Sequence, residues 1–120
     1  PAAGVRAESV QNDGNYTVTA EMKAVRDGDY TLAVLVLEDG IVAAQTGGTA
    51  DYVHYNILRS WTEGESLTVK EGDTASCTFT GTVTGKSRFV VLVLRGGLVD
   101  NAIGCSADGS VDWQYEEEND

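Results

Sequence analysis

The amino-acid sequence predicts an all-β protein, a two-sheet antiparallel immunoglobulin-like β-sandwich of about seven to nine strands. Three observations support this fold class. Short stretches alternate apolar and polar residues, turn formers recur between them, and two runs at residues 32–37 and 89–94 are apolar without a break. These runs are too short to span a membrane and too β-branched to favour a helix. We therefore expect two neighbouring central strands that are covered on both faces.

The first quarter of the chain predicts two strands and two turns. Residues 5–10 are expected to form a short edge strand, and residues 11–15 are dense in turn formers. Residues 16–24 alternate strictly, which predicts a strand with one wet face. The inward positions of that strand are Tyr16, Val18, Ala20, Met22 and Ala24. Asp27-Gly28 then predicts a hairpin turn into the first apolar strand.

The middle of the chain is ambiguous. Residues 38–40 break the apolar run, residues 41–45 continue it briefly, and residues 46–49 predict a loop. The segment 52–61 fits one side of a helix and also one face of a strand, and we favour an extended segment with a strand near its end.

The second half of the chain returns to short strands and tight turns. The pattern predicts a turn at 63–65, a short strand at 66–69, a turn at 70–73, a strand at 74–83, a turn at Gly85-Lys86, the second apolar strand at 88–95, a loop from Gly96-Gly97 and a last strand at 101–106. In the strand at 74–83, Ala75, Cys77, Phe79 and Val83 are expected to point inward.

The predicted strands fall into two types. Strands 16–24 and 74–83 have threonine-rich polar faces, so they suit B and E of an immunoglobulin-like sheet that shows one side to water. The two apolar strands suit C and F of the other sheet. Either residues 46–62 fold over the outer face of that sheet, or another domain or subunit covers it, because an exposed apolar face of that size would be an interaction site.

Charge restricts the partners. The net charge is −11, so phosphate backbones and anionic lipid surfaces would be repelled. Nucleic acid and peripheral membrane binding are therefore disfavoured. Direct membrane insertion by this chain is not expected either, because no apolar run is long enough to span a bilayer. Residues 116–120 predict a disordered, solvated acidic tail after a single domain at residues 1–115.

No constellation for catalysis, a metal or a cofactor is recognisable. Cys77 and Cys105 have neither redox nor metal spacing, and both a disulfide and two free thiols remain open. The aspartate pairs at 27/29 and 108/112 do not match a calcium loop. Glu38-Asp39 with Gln45 suits side-chain to backbone hydrogen bonds at a bend better than paired acid/base carboxylates. We expect no enzyme activity.

One segment carries the candidate ligand or partner contacts. These are Tyr52, His54, Tyr55, Arg59 and Trp61. The simpler interpretation is a histidine packed within its own segment, because a lone histidine without a second ligand makes a poor metal site. Trp61 and Trp113 are expected to be packing residues, whereas tryptophan or tyrosine exposed together on one rim would favour a sugar platform.

Three stretches resemble the C-terminal part of the outer-membrane-protein-28 lipoprotein family of Bacteroidetes. They are LEDGIVAAQ, YVHYNILR and VDNAIGCSADGSVDWQYE, within residues 25–116. The most specific pieces of the resemblance are Glu38-Asp39 with Gln45, and His54, Asn56 and Arg59.

The resemblance implies a lipid-anchored, extracytoplasmic protein of the cell surface or outer membrane, with the anchor outside this chain. It also implies an N-terminal thioredoxin-like domain as a candidate cover for the C/F sheet. This chain itself has no CxxC motif and no βαβ pattern of such a domain. The expected function is a non-catalytic module that packs on a domain or protein. The alternative is a carbohydrate- or peptide-binding domain with its site near residues 52–61.

Overall fold

A computed structural model describes residues 1–38, 41–44, 51–54 and 57–115 of the chain. These residues form ten β-strands and no helix. The strands are β1 (Ala3–Asn12), β2 (Asn15–Ala24), β3 (Gly28–Glu38), β4 (Ile41–Ala44), β5 (Asp51–His54), β6 (Ile57–Val69), β7 (Thr74–Thr82), β8 (Ser87–Arg95), β9 (Leu98–Ser106) and β10 (Gly109–Gln114). Among the described residues no helix has the length and apolarity needed to cross a bilayer.

Eight of these strands form two antiparallel sheets that pack face to face. The first sheet has the order β10-β1-β2-β7 and the second has the order β6-β3-β8-β9. β4 and β5 pair only with each other among the described strands. The order confirms the predicted immunoglobulin-like sandwich, since β2 and β7 take the places of B and E while β3 and β8 take those of C and F.

One hydrophobic core fills the space between the sheets. Its fully buried side chains include Val5, Val18, Met22, Tyr30, Leu32, Val34, Val36, Phe89, Val91 and Val93. All five predicted inward positions of β2 are buried. The rings of Tyr16 and Phe89 approach across the core with centroids 5.1 Å apart, which joins the two sheets.

The first strand is longer than predicted and is not at an edge. β1 lies between β10 and β2. The prediction is wrong because it assigns no strand to β10, where the pattern of burial is weak: Val111 and Trp113 are only half-buried. Pairing with β1 provides the partner that the local sequence does not reveal.

Two turns differ from their predictions. Asp27-Gly28 is not a hairpin turn, because β2 and β3 belong to different sheets and the chain crosses from one to the other there. Gly96-Gly97 is a tight turn instead of the start of a loop. Its glycines have φ of 60° and 79°, as the two-residue turns that match strand twist require.

β6 is also continuous where a turn is expected. Residues 63–65 lie within the strand, which follows β3 through two register shifts. Gly64 serves close packing, because a Cβ there would lie 3.0 Å from Cys77 Sγ. Residues 57–62 therefore pair beside β3 at the edge of its sheet and do not fold over its outer face, while the predicted loop at 46–49 lies outside the described residues.

Side-chain hydrogen bonds connect neighbouring strands at the end of the sandwich where β1 begins. The Asn101 side-chain amide donates to the carbonyls of Ala3 at 3.0 Å and Gln114 at 2.8 Å. The buried Tyr30 hydroxyl donates to the Arg26 carbonyl at 2.7 Å, and burial raises the pKa of this tyrosine. These bonds satisfy polar atoms that would be costly to bury unpaired.

Replacement of a central core side chain should destabilise the protein strongly. Leu32→Ala is expected to lower the free energy of unfolding by about 2–5 kcal/mol, because it removes buried methylene groups and leaves a cavity. Thr80→Ser, at an exposed position of β7, should change it by about 0.5 kcal/mol or less. Urea unfolding measures both values, and equal losses would contradict the core assignment.

Candidate functional site

The outer side of the second sheet is apolar through its middle. We define the outer apolar face as the side chains of Ala33, Leu35, Leu37, Leu58, Trp61, Val90, Leu92 and Leu94. Cross-strand pairing places Leu35 between Trp61 and Val90. Ala33, Leu92 and Leu94 are buried, but Leu58 is 56% exposed and Trp61 is 46% exposed. The expected cover on both sides of the apolar strands is therefore incomplete toward the β6 edge.

A shallow depression adjoins this face on β8 and β9. It has a volume of about 280 Å³ and is bordered by Arg88, Val90 and Ser106. Gly104 opens it, because a Cβ added there would meet nothing within 4 Å.

Glu38 is the most buried carboxylate of the described residues, with 3% of its surface exposed. It accepts hydrogen bonds from the Thr84 hydroxyl at 2.8 Å and the Thr84 backbone N–H at 3.1 Å. Arg59 Nε lies 3.2 Å from its second oxygen. The Thr84 hydroxyl, and then the Thr84 N–H and the Arg59 charge, lower the pKa of Glu38 against the opposing effect of burial. This carboxylate thus ties the end of β3 to the turn between β7 and β8.

The predicted contact residues are separated. Arg59 is engaged by Glu38, and Trp61 belongs to the outer apolar face. Tyr52 and His54 lie in β5, where the structure describes the backbone alone, and Tyr55 lies outside the described residues together with Asp39, Gln45 and Asn56. Among the described residues, Arg59 and Trp61 lie close together on β6, but the first pairs with a buried carboxylate and the second lies on an apolar surface.

A groove that the sequence does not predict lies across the outer side of the first sheet. It has a volume of about 490 Å³ and crosses all four strands. Arg6 forms an ion pair with Glu21 there, and its guanidinium lies 5.0 Å from the centroid of Trp113. The ring of Tyr115 stacks on that tryptophan with centroids 6.1 Å apart. The polar alternation of β1 and β2 was the available signal, but it did not show that the face is concave.

The aspartates and cysteines that were candidates for metal binding or redox chemistry show no such arrangement among the described residues. Asp27 and Asp108 accept hydrogen bonds from the backbone N–H groups of Glu71 and Gln11, respectively. Across the part of the chain that the structure describes, no three potential ligands cluster to hold a metal ion. Cys77 and Cys105 are both free thiols, the first half-buried and the second buried.

Comparison with known proteins does not assign the chain to a family. No protein-family model matches the chain, and no curated protein matches it. One solved structure that it resembles is β-glucosidase 3B from Thermotoga neapolitana in complex with glucose, with a TM-score of 0.41 and 11% sequence identity. The similarity covers 88% of this chain and 16% of the glucosidase chain. A similarity of this size indicates neither an activity nor a ligand for this chain.

The Glu38 cluster predicts a specific dependence of stability on pH. Because the pKa of Glu38 is lower in the folded chain than the unperturbed 4.5, its contribution is present above that pH and is lost as the pH falls below it. Glu38→Gln should cost about 1.5–3 kcal/mol at neutral pH, where the carboxylate accepts charge-assisted bonds.

Chemical denaturation of both proteins between pH 7 and pH 3 is the measurement. The difference between wild type and Glu38→Gln should shrink below pH 4.5. Glu65→Gln, at an exposed position of β6, is the matched control and should follow the wild type throughout. A difference that stays constant across this range would contradict the role given to the carboxylate.

Proposed function

We propose that the chain is a non-catalytic immunoglobulin-like module whose outer apolar face packs against a neighbouring domain or a protein partner. One observation carries the proposal: Leu58 and Trp61 are about half exposed on a sheet face whose neighbours, Leu35 and Val90, are also apolar. Contiguous apolar surface of this kind is typical of interaction sites in soluble proteins.

The energetics favour such a use. Burial of a large apolar side chain contributes about 1.5–3 kcal/mol, so two side chains and their neighbours supply a useful centre for an interface. Tryptophan is a frequent anchor of such centres. The net charge of −11 opposes the approach of a second copy, so the preferred occupant is a different folded domain.

The chemistry of Glu38 supports a role without catalysis. A general acid or base works best with a pKa near the operating pH, whereas the pKa of this buried carboxylate is lowered and its oxygens are held by Thr84 and Arg59. It is therefore suited to fixing a turn.

The proposal includes a cellular setting. Resemblance to the outer-membrane-protein-28 lipoproteins supports an extracytoplasmic, lipid-anchored surface protein, with a thioredoxin-like domain as the occupant of the outer apolar face. This part rests on the sequence stretches around Glu38 and Arg59. The alternative is a carbohydrate- or peptide-binding site near residues 52–61, for which the exposure of Trp61 is the supporting observation.

Site-specific cross-linking tests the interface. A photoreactive benzophenone amino acid is placed at position 61 of the protein as it is produced in its native cells. It should cross-link to one defined peptide of another domain or protein. Leu58→Ser should lower the yield, since the loss of about 1.4 kcal/mol of apolar contact weakens the equilibrium constant for docking about tenfold.

The same photoreactive residue at position 80 is the control, because Thr80 lies exposed on the opposite side of the sandwich. It should give no defined product. Equal, scattered products from positions 61 and 80 would refute the interface. A product joining two copies at position 61 would replace the partner domain with self-association.

A further inference from the structure

The groove on the outer side of the first sheet is large enough to hold a small ligand. Its volume of about 490 Å³ lies within the usual range for small-molecule sites, about 300–1,000 Å³. Residues of β10, β1, β2 and β7 all line it, so the groove crosses the width of the sheet. It faces away from the outer apolar face, on the other side of the core.

A β-bulge builds one wall of the groove. β1 and β10 pair regularly at Ala7–Val111 and again at Val5–Gln114, so two residues of β10 stand opposite Arg6 alone. These residues are Asp112, which lines the groove, and Trp113, which packs on the Arg6 guanidinium. Bulges commonly redirect side chains toward functional sites.

The lining combines charged and neutral hydrogen-bonding groups. Glu8, Glu21 and Asp112 supply carboxylate acceptors, and Arg6 supplies a fork of donors between them. Thr19, Ser76 and Ser110 add hydroxyl groups, which both donate and accept.

Aromatic surface continues from the groove beyond Arg6. Trp113 and Tyr115 stack with an angle of 26° between their rings, and Tyr115 is 37% exposed. Gly4 makes room for Tyr115, since a Cβ at that position would clash with the Tyr115 ring. Such rings offer a flat apolar surface with a polar edge. The exposed Tyr115 thus lies beside a half-buried Trp113 on one side of the sandwich, which offers a partly exposed aromatic surface to a sugar.

We propose that this groove, with the adjoining Trp113 and Tyr115 rings, binds a neutral carbohydrate. The hydroxyl groups of the sugar donate to the carboxylates and accept from Arg6, while its apolar ring faces lie along the aromatic surface. Three carboxylates against one guanidinium disfavour an anionic ligand. A basic peptide is disfavoured because the Arg6 guanidinium lines the site and already pairs with Glu21.

Titration of the ¹⁵N-labelled protein, followed by the amide chemical shifts, tests the proposal. The probes are cellohexaose, laminarihexaose, xylohexaose and mannohexaose, with oligogalacturonate and hexalysine as the anionic and cationic comparisons. At least one neutral oligosaccharide should bind with a Kd of about 1 mM or tighter and shift amides of residues 6–8 and 110–115.

Two matched variants locate the site. Ser76→Arg places a long side chain in the groove and should weaken binding at least about tenfold, whereas Thr80→Arg lies on the same side of the same strand outside the groove and should leave the Kd unchanged. Asp112→Ala should also weaken binding about tenfold. The amide spectrum of each unliganded variant reports whether its fold is retained.

Three results would overturn the proposal. The first is no saturable shift with any neutral oligosaccharide up to about 10 mM. The second is binding of hexalysine or oligogalacturonate alone, which would assign the groove to a charged ligand. The third is equal binding by Ser76→Arg and the wild type. The cross-link at position 61 is independent of all three, because the two faces lie on opposite sides of the core.

Discussion

The structure depends on the pairing of β3 with β8 at the centre of the second sheet. β3 lies between β6 and β8, and β8 lies between β3 and β9, so the backbone of both strands is hydrogen-bonded on each side. Their inward side chains, among them Leu32, Val34, Phe89 and Val91, are fully buried. A strand pair that is both fully paired and covered over its inner face is costly to open, because polar and apolar groups would be exposed together.

The two outer sides of the sandwich have different chemistry, although they belong to sheets of equal size. The first sheet presents threonine, serine and charged side chains around a concave groove. The second presents apolar side chains, of which Leu58 and Trp61 on β6 are about half exposed. The first side is the surface for which we propose carbohydrate binding, and the second is the surface for which we propose packing against a folded partner.

The sequence predicts those parts of the fold that local periodicity determines. The strict alternation from Tyr16 to Ala24 and the unbroken runs around Leu32 and Phe89 identify three strands and assign them to the correct sheets. The sequence does not predict those parts of the fold that depend on which strands pair with each other. Asp27-Gly28 has the same turn chemistry in a hairpin and in a crossover, and the half-buried alternation of β10 becomes a strand only through its partner β1. The candidate site is predicted less well, because the ion pair of Glu38 with Arg59 and the concavity beside Arg6 join residues from distant segments.

Native-state hydrogen exchange tests the central claim most directly. Amides of residues 32–36 and 89–93 should be the slowest in the chain and should exchange only through global unfolding, with one shared free energy. Amides of the edge strand β10 should open at lower free energies. Exchange at residues 32–36 and 89–93 that is as fast as at β10 would contradict an account in which these two strands hold the sandwich together.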